Sequence, residues 1–146
     1  MNDKILEFLS ANKNLLTTSF DKMDWDELYK RAFEFGFRGT NSSISLDKFT
    51  EELFDLFGQE KVLKGLTFIP SHFLEESHNT SMITIPNHIN KIGDRAFASS
   101  YIDKINIPDS LDDLGFGTFE ETINLKEIVL PDSIKLIKGQ CYYFSH

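Results

Sequence analysis

Residues 85–97 read IPNHINKIGDRAF. An Ile-Pro pair, an Ile-Gly pair and an Ala-Phe pair are set apart by single apolar residues. This is neither the strict alternation of a half-buried strand nor the 3.6-residue period of a helix. The stretch makes sense because it recurs. It returns as IPDSLDDLGFGTF over residues 107–119 and as LPDSIKLIKGQCY over residues 130–142, with no gap inside the unit.

An aliphatic residue opens each copy (Ile85, Ile107, Leu130) and a proline follows (Pro86, Pro108, Pro131). Further apolar residues stand at Ile89, Leu111 and Ile134, then at Ile92, Leu114 and Ile137. The pairs Ala96-Phe97, Thr118-Phe119 and Cys141-Tyr142 close the units, which start 22 and then 23 residues apart. A weaker copy, VLKGLTFIPSHFL, begins at Val62, with Leu66, Ile69 and Phe73-Leu74 in register. It lacks the proline, and Pro70 stands where Gly93 and Gly115 stand later. A terminal repeat is expected to be atypical because it meets something other than another repeat.

A short β pattern precedes each proline: MITIP, DKINIP and KEIVLP. Alternation turns Ile83 and Ile85, Ile105 and Ile107, and Ile128 and Leu130 to one face. The proline then stops the strand, because it has no N–H for a ladder hydrogen bond. One strand per unit at this spacing predicts a stack of parallel strands. A single coil cannot bury its apolar side, and stacked coils can.

The pattern resembles the BspA-type leucine-rich repeat, with its I-P-x-x-(V/I)-x-x-I-G-x-x-A-F signature, over residues 62–146. The last copy departs from it: Lys138 replaces the usual glycine and Cys141-Tyr142 replaces Ala-Phe, and no further strand follows. The resemblance implies a curved solenoid used mostly for protein contacts in bacterial, protozoan and viral proteins. It implies no chemistry.

Residues 1–60 read as helical. Ile5, Phe8, Leu9 and Leu15-Leu16 form a first amphipathic stretch. Asp24 is a good N-cap and Glu27 completes an Asp variant of the capping box. Trp25, Leu28, Ala32 and Phe35 make one stripe, and Tyr29, Phe33 and Phe37 a second. Gly36 and Gly39 end that helix. Ser45 caps a third, in which Leu46, Phe49, Leu53 and Phe57 face one way and Gly58 is the stop. The expected fold is therefore α+β: a small helical bundle (1–60) packed on the first coil and closing the open end of a short parallel-β solenoid (61–146). The bundle is either only a cap or a second binding surface.

The 146 residues carry fourteen Phe and a net charge of −8, divided as −3 over residues 1–65 (9 basic, 12 acidic) and −5 over residues 66–146 (6 basic, 11 acidic). A Lys/Arg stripe is absent, which argues against direct nucleic-acid binding. Acidity of this kind serves solubility, or it mimics nucleic acid toward a basic partner, with Asp112, Asp113, Glu120 and Glu121 as carriers. No run of eighteen apolar residues suggests a membrane span, and the N-terminus does not read as a signal peptide. A soluble, cytoplasmic protein is expected. Its richness in Asn, Lys, Ile and Phe suits a low-GC or phage genome.

Candidate chemistry is thin. Cys141 is the only cysteine, so no internal disulfide forms, and it reads as a small buried residue. His72 and His78 flank Glu75 and Glu76, yet the stretch lacks the spacing of a metal site and reads as a solvated loop. GFGTF lacks the third glycine of a dinucleotide fingerprint, and Gly115 reads as a tight turn. His88 and Arg95 read as solvated positions between core residues. No cofactor, metal site or catalytic set is expected.

Two surfaces remain for a partner. The outward side chains of the repeat strands, Met82, Thr84, Lys104, Asn106, Glu127 and Val129, form one mixed-polarity face that is either plain solvated sheet or a protein-binding surface. Tyr143 and Phe144 at the last coil either fold back over it or dock a partner or a second copy. The expected role is stoichiometric, non-enzymatic binding of another protein, as inhibitor or adaptor. Self-association and nucleic-acid mimicry are the alternatives.

Overall fold

The computed structural model describes residues 3–16, 24–38, 45–126, 128 and 136–137. Five helices come first: α1 Asp3–Ala11, α2 Lys13–Leu16, α3 Trp25–Phe35, α4 Leu46–Phe57 and α5 Gln59–Gly65. Ile5, Phe8 and Leu9 turn one face of α1 inward. Arg31 Nη1 donates to Asn12 Oδ1 at 3.2 Å, tying the end of α1 to α3. Gly36 and Gly58 end α3 and α4 at φ +130° and +92°, which glycine adopts without strain.

Several local expectations need correction. Asp24 Oδ1 does accept the Glu27 N–H at 2.9 Å, but the Glu27 carboxylate pairs with Arg31 Nε at 3.0 Å in place of the expected capping box. Ser45 stands at the N-cap of α4 without a side-chain capping bond. The two apolar stripes of α3 do not both sink into the core. Trp25, Leu28, Tyr29 and Ala32 are buried, whereas Phe33 and Phe35 remain 50% and 37% exposed. The α-helix period of 100° per residue spreads so wide an apolar arc that the packed neighbours cannot cover all of it.

The first two clear repeats each carry two short strands where one was expected, and the third shows its second strand among the described residues. The first strands are β1 Met82–Thr84 and β3 Lys104–Asn106, and the second are β2 Lys91–Ile92, β4 Asp113–Leu114 and β5 Leu136–Ile137. All pair in parallel, β1 with β3 and β2 with β4 with β5. The register equals the sequence repeat: Met82 lies opposite Lys104, and Lys91 opposite Asp113. Pro86 and Pro108 follow β1 and β3, where no ladder donor is needed.

The degenerate unit is half a coil. Val62 belongs to α5, so a helix replaces the first strand, while Ile69 bridges Ile92 as a second strand would. The glycines at Gly93 and Gly115 are not required by an unusual φ. A Cβ on Gly93 would lie 2.5 Å from the Ser71 nitrogen, and one on Gly115 would lie 2.5 Å from the Gly93 carbonyl carbon. Close approach of successive coils excludes a side chain there. The left-handed corners fall elsewhere, at His72, Arg95 and Gly117 (φ +65°, +54°, +64°) and at Glu76, Ser99 and Glu121 (φ +64°, +55°, +57°). Coil-to-coil backbone bonds hold them, including His72 N–H to the Asp94 carbonyl and Arg95 N–H to the Phe116 carbonyl.

One hydrophobic core runs from Ile5 to Leu125 through helices and coils alike. Phe73 joins them: its ring lies 5.5 Å from Tyr29, 5.9 Å from Phe54 and 6.4 Å from Phe97, and Phe97 stacks on Phe119 at 5.9 Å. Polar ties reinforce the junction. Asp26 accepts from Thr67 N–H and Oγ1, and Glu51 accepts from Ser77 and Asn79. The helices thus pack on the first coil.

Candidate functional site

β1 and β3 present a two-stranded face whose side chains alternate. Ile83 and Ile105 point inward, while Met82, Thr84, Lys104 and Asn106 point outward and are exposed. Their register sets Met82 beside Lys104 and Thr84 beside Asn106, at the strand spacing of about 4.8 Å. Asn106 Nδ2 donates to Thr84 Oγ1 at 3.3 Å, which steadies the polar half of the face. Met82, 52% exposed, leaves a thioether free at the other half. Four of the six expected face residues therefore come together. Glu127 and Val129 lie outside the described residues, as do Tyr143, Phe144 and Cys141.

Beside this face runs a groove of about 530 Å³ lined by Gln59, Glu60, Leu63, Thr84 and Pro86. Gln59 Nε2 donates to the Met82 carbonyl at 3.2 Å across it. A second, more apolar groove of about 390 Å³ lies between α3 and the first coil, with Phe33 and Phe68 in its lining.

The sequence reading missed one charged cluster. Glu75 is buried, and its carboxylate takes His72 Nδ1 at 2.6 Å and Arg95 Nε at 2.6 Å. Arg95 reaches on to Glu120 at 3.3 Å, so the cluster spans three coils. Burial would push the Glu75 carboxyl up, but the hydrogen bonds from His72 and Arg95 outweigh it and hold it below the usual carboxylate range. Arg95 is likewise raised, burial opposing and the Glu75 hydrogen bond prevailing. Arg95 is thus no solvated spacer, and the His72 loop is not simply solvated. His88 Nε2 lies 2.7 Å from the Leu66 carbonyl and fastens one coil to the one before. The signal was present in the repeat frame: Arg95 occupies the position of His72 one unit later, and Glu120 that of Glu75 two units later.

These groups pair among themselves and leave no carboxylate poised for proton transfer. Glu120, a candidate for nucleic-acid mimicry, is held by Arg95, and Glu121 takes a weak bond from Ser99 at 3.5 Å. Among the described residues no group of three or more His, Cys, Asp or Glu is placed to hold a metal ion. No helix among them is long and apolar enough to cross a membrane.

Comparison with curated proteins and with solved structures gives no match. The family model described as a BspA type leucine rich repeat region (6 copies) matches residues 67–146. That span starts within the half coil and takes in both two-strand units, whose parallel register follows the repeat period. The chain belongs to the BspA-type leucine-rich repeat family.

Proposed function

We propose that this chain is a non-enzymatic binding protein that acts stoichiometrically on another protein, as an inhibitor or adaptor. Repeats of its family generally mediate protein–protein interaction and are typically without catalysis. The observation that carries the reading is the β1–β3 face. An exposed Met82 stands beside Lys104 on a strand pair whose backbone is fixed by the core beneath it. Methionine adapts to varied apolar surfaces, and a preorganised sheet loses little entropy when a partner docks.

Capture of partners from a host lysate by the immobilised chain, with mass spectrometry, tests this. A partner retained in a one-to-one ratio is expected, and the Met82→Glu, Lys104→Glu double variant should lose it. Equal recovery by the variant would falsify the assignment of this face.

A further inference from the structure

We infer that the partner is held as an added strand: an extended segment of another protein pairs with the free edge of β1, in the groove between β1 and α5. This rests on the binding role proposed above and specifies its geometry.

The repeat leaves that strand position open. β3 is flanked by β1, one unit earlier. One unit before β1 the same positions are residues 59–61, and these are helical in α5. The slot beside β1 that a first strand would occupy is therefore not filled by a strand. In a parallel ladder alternate residues bond to opposite neighbours. Ile85 N–H donates to the Asn106 carbonyl at 3.1 Å, so the odd-numbered residues of β1 face β3. Met82 and Thr84 turn their backbone groups the other way. The Met82 carbonyl is met by the Gln59 side-chain amide, which stands where a strand N–H would stand. The ladder turns the Thr84 N–H and carbonyl away from β3, and neither takes a backbone bond from outside the strands among the described residues. Unpaired edge groups of this kind are a template for another chain.

The groove has room and chemistry for such a segment. Its volume is about 530 Å³, with Leu63 and Pro86 as apolar lining. Glu60 lines it too, exposed and without an ion pair among the described residues. With a chain charge of −8, the complement is a segment that alternates β-branched residues, turned toward Leu63, with a basic residue turned toward Glu60.

The probe is an end-capped Thr-Val-Lys-Val-Thr peptide, titrated to millimolar concentration into the ¹⁵N-labelled full chain and followed by NMR. The Thr84 amide should shift downfield and its hydrogen exchange should slow about tenfold or more at saturation. The same peptide N-methylated at alternate residues loses its ladder donors and should bind about tenfold more weakly. Equal binding of the methylated peptide overturns the inference. Shifts confined to Met82, Lys104 and Asn106 overturn strand addition while leaving the binding role standing. A titration that moves nothing also overturns it, and the binding role is then judged by the capture experiment alone.

Discussion

Arg95 Nε and Glu75 Oε2 lie 2.6 Å apart although twenty residues separate them, because one coil stacks on the next. Both the pair and its neighbours are shielded: the Glu75 side chain is 7% exposed and that of Arg95 32%. Arg95 makes this bond from a repeat corner at which its φ is left-handed, +54°. Such a conformation costs an ordinary residue on the order of 1 kcal/mol, which the coil-to-coil bond from the Arg95 N–H to the Phe116 carbonyl helps to offset, while the pairing with Glu75 offsets desolvation.

Removing Arg95 leaves a buried carboxylate with only His72 beside it. Arg95→Ala should destabilise the fold by about 1–3 kcal/mol, the range for an uncompensated, partly shielded charge. Urea unfolding followed by circular dichroism measures this. A change below about 0.5 kcal/mol, the range for a surface substitution, would contradict the assignment.

The same cluster sets a pH dependence. The folded Glu75 carboxyl lies below its ordinary value of 4.5, so the unfolded chain binds more protons in that window and stability rises with pH there. Its contribution is present above about pH 4.5 and is lost as pH falls through the lower, folded value. Asp47 behaves oppositely. Burial chiefly, with repulsion from Glu51, raises its carboxyl, so its charging disfavours the fold as pH rises. Melting temperatures between pH 3 and pH 7 should therefore fall less steeply toward acid in Glu75→Gln, and Asp47→Asn should melt higher than the parent at pH 7. Parallel pH profiles for the parent and Glu75→Gln would refute the Glu75 part.

A Cβ on Gly65 would run into the indole of Trp25. Gly65→Ala should cost about 3 kcal/mol by overpacking, whereas Gly58→Ala meets nothing within 4 Å and should cost only about 1 kcal/mol through its φ of +92°. Trp25 is the sole tryptophan, so its emission reports the site directly. A red shift in Gly65→Ala is expected and none in Gly58→Ala. Equal costs for the two would mean that conformational strain, and not Trp25, sets the penalty.

Because Phe73 touches both helical and repeat aromatics, the two parts should unfold together. Phe73→Ala should cost about 3–5 kcal/mol and leave one cooperative transition at a lower midpoint. Far-ultraviolet dichroism, which reports the helices, and hydrogen exchange at the repeat amides of Ile92 and Ile105 should give one common stability in the parent. Two separated transitions there would show that the helices form a unit of their own.

The period, the strand-ending prolines and the inward residues were legible before any coordinates. Ile83, Ile92, Phe97, Ile105, Leu114 and Phe119 are all buried where the repeat put them. A period of two within the strands and of 22–23 between coils is written in side-chain polarity alone, so it survives without coordinates. The second strand was harder to see, because only two residues per coil form it and two residues cannot show an alternation. The replacement of the first strand by α5 was not legible either. Helical and coil readings of VLKGL both place Val62 and Leu66 inward, so local polarity does not separate them. The role of Gly93 and Gly115, the pairing of His72, Glu75, Arg95 and Glu120, and the open edge of β1 all depend on which coil lies next to which. Distances between residues some twenty positions apart are set by stacking, a tertiary relation that no local pattern of polarity encodes.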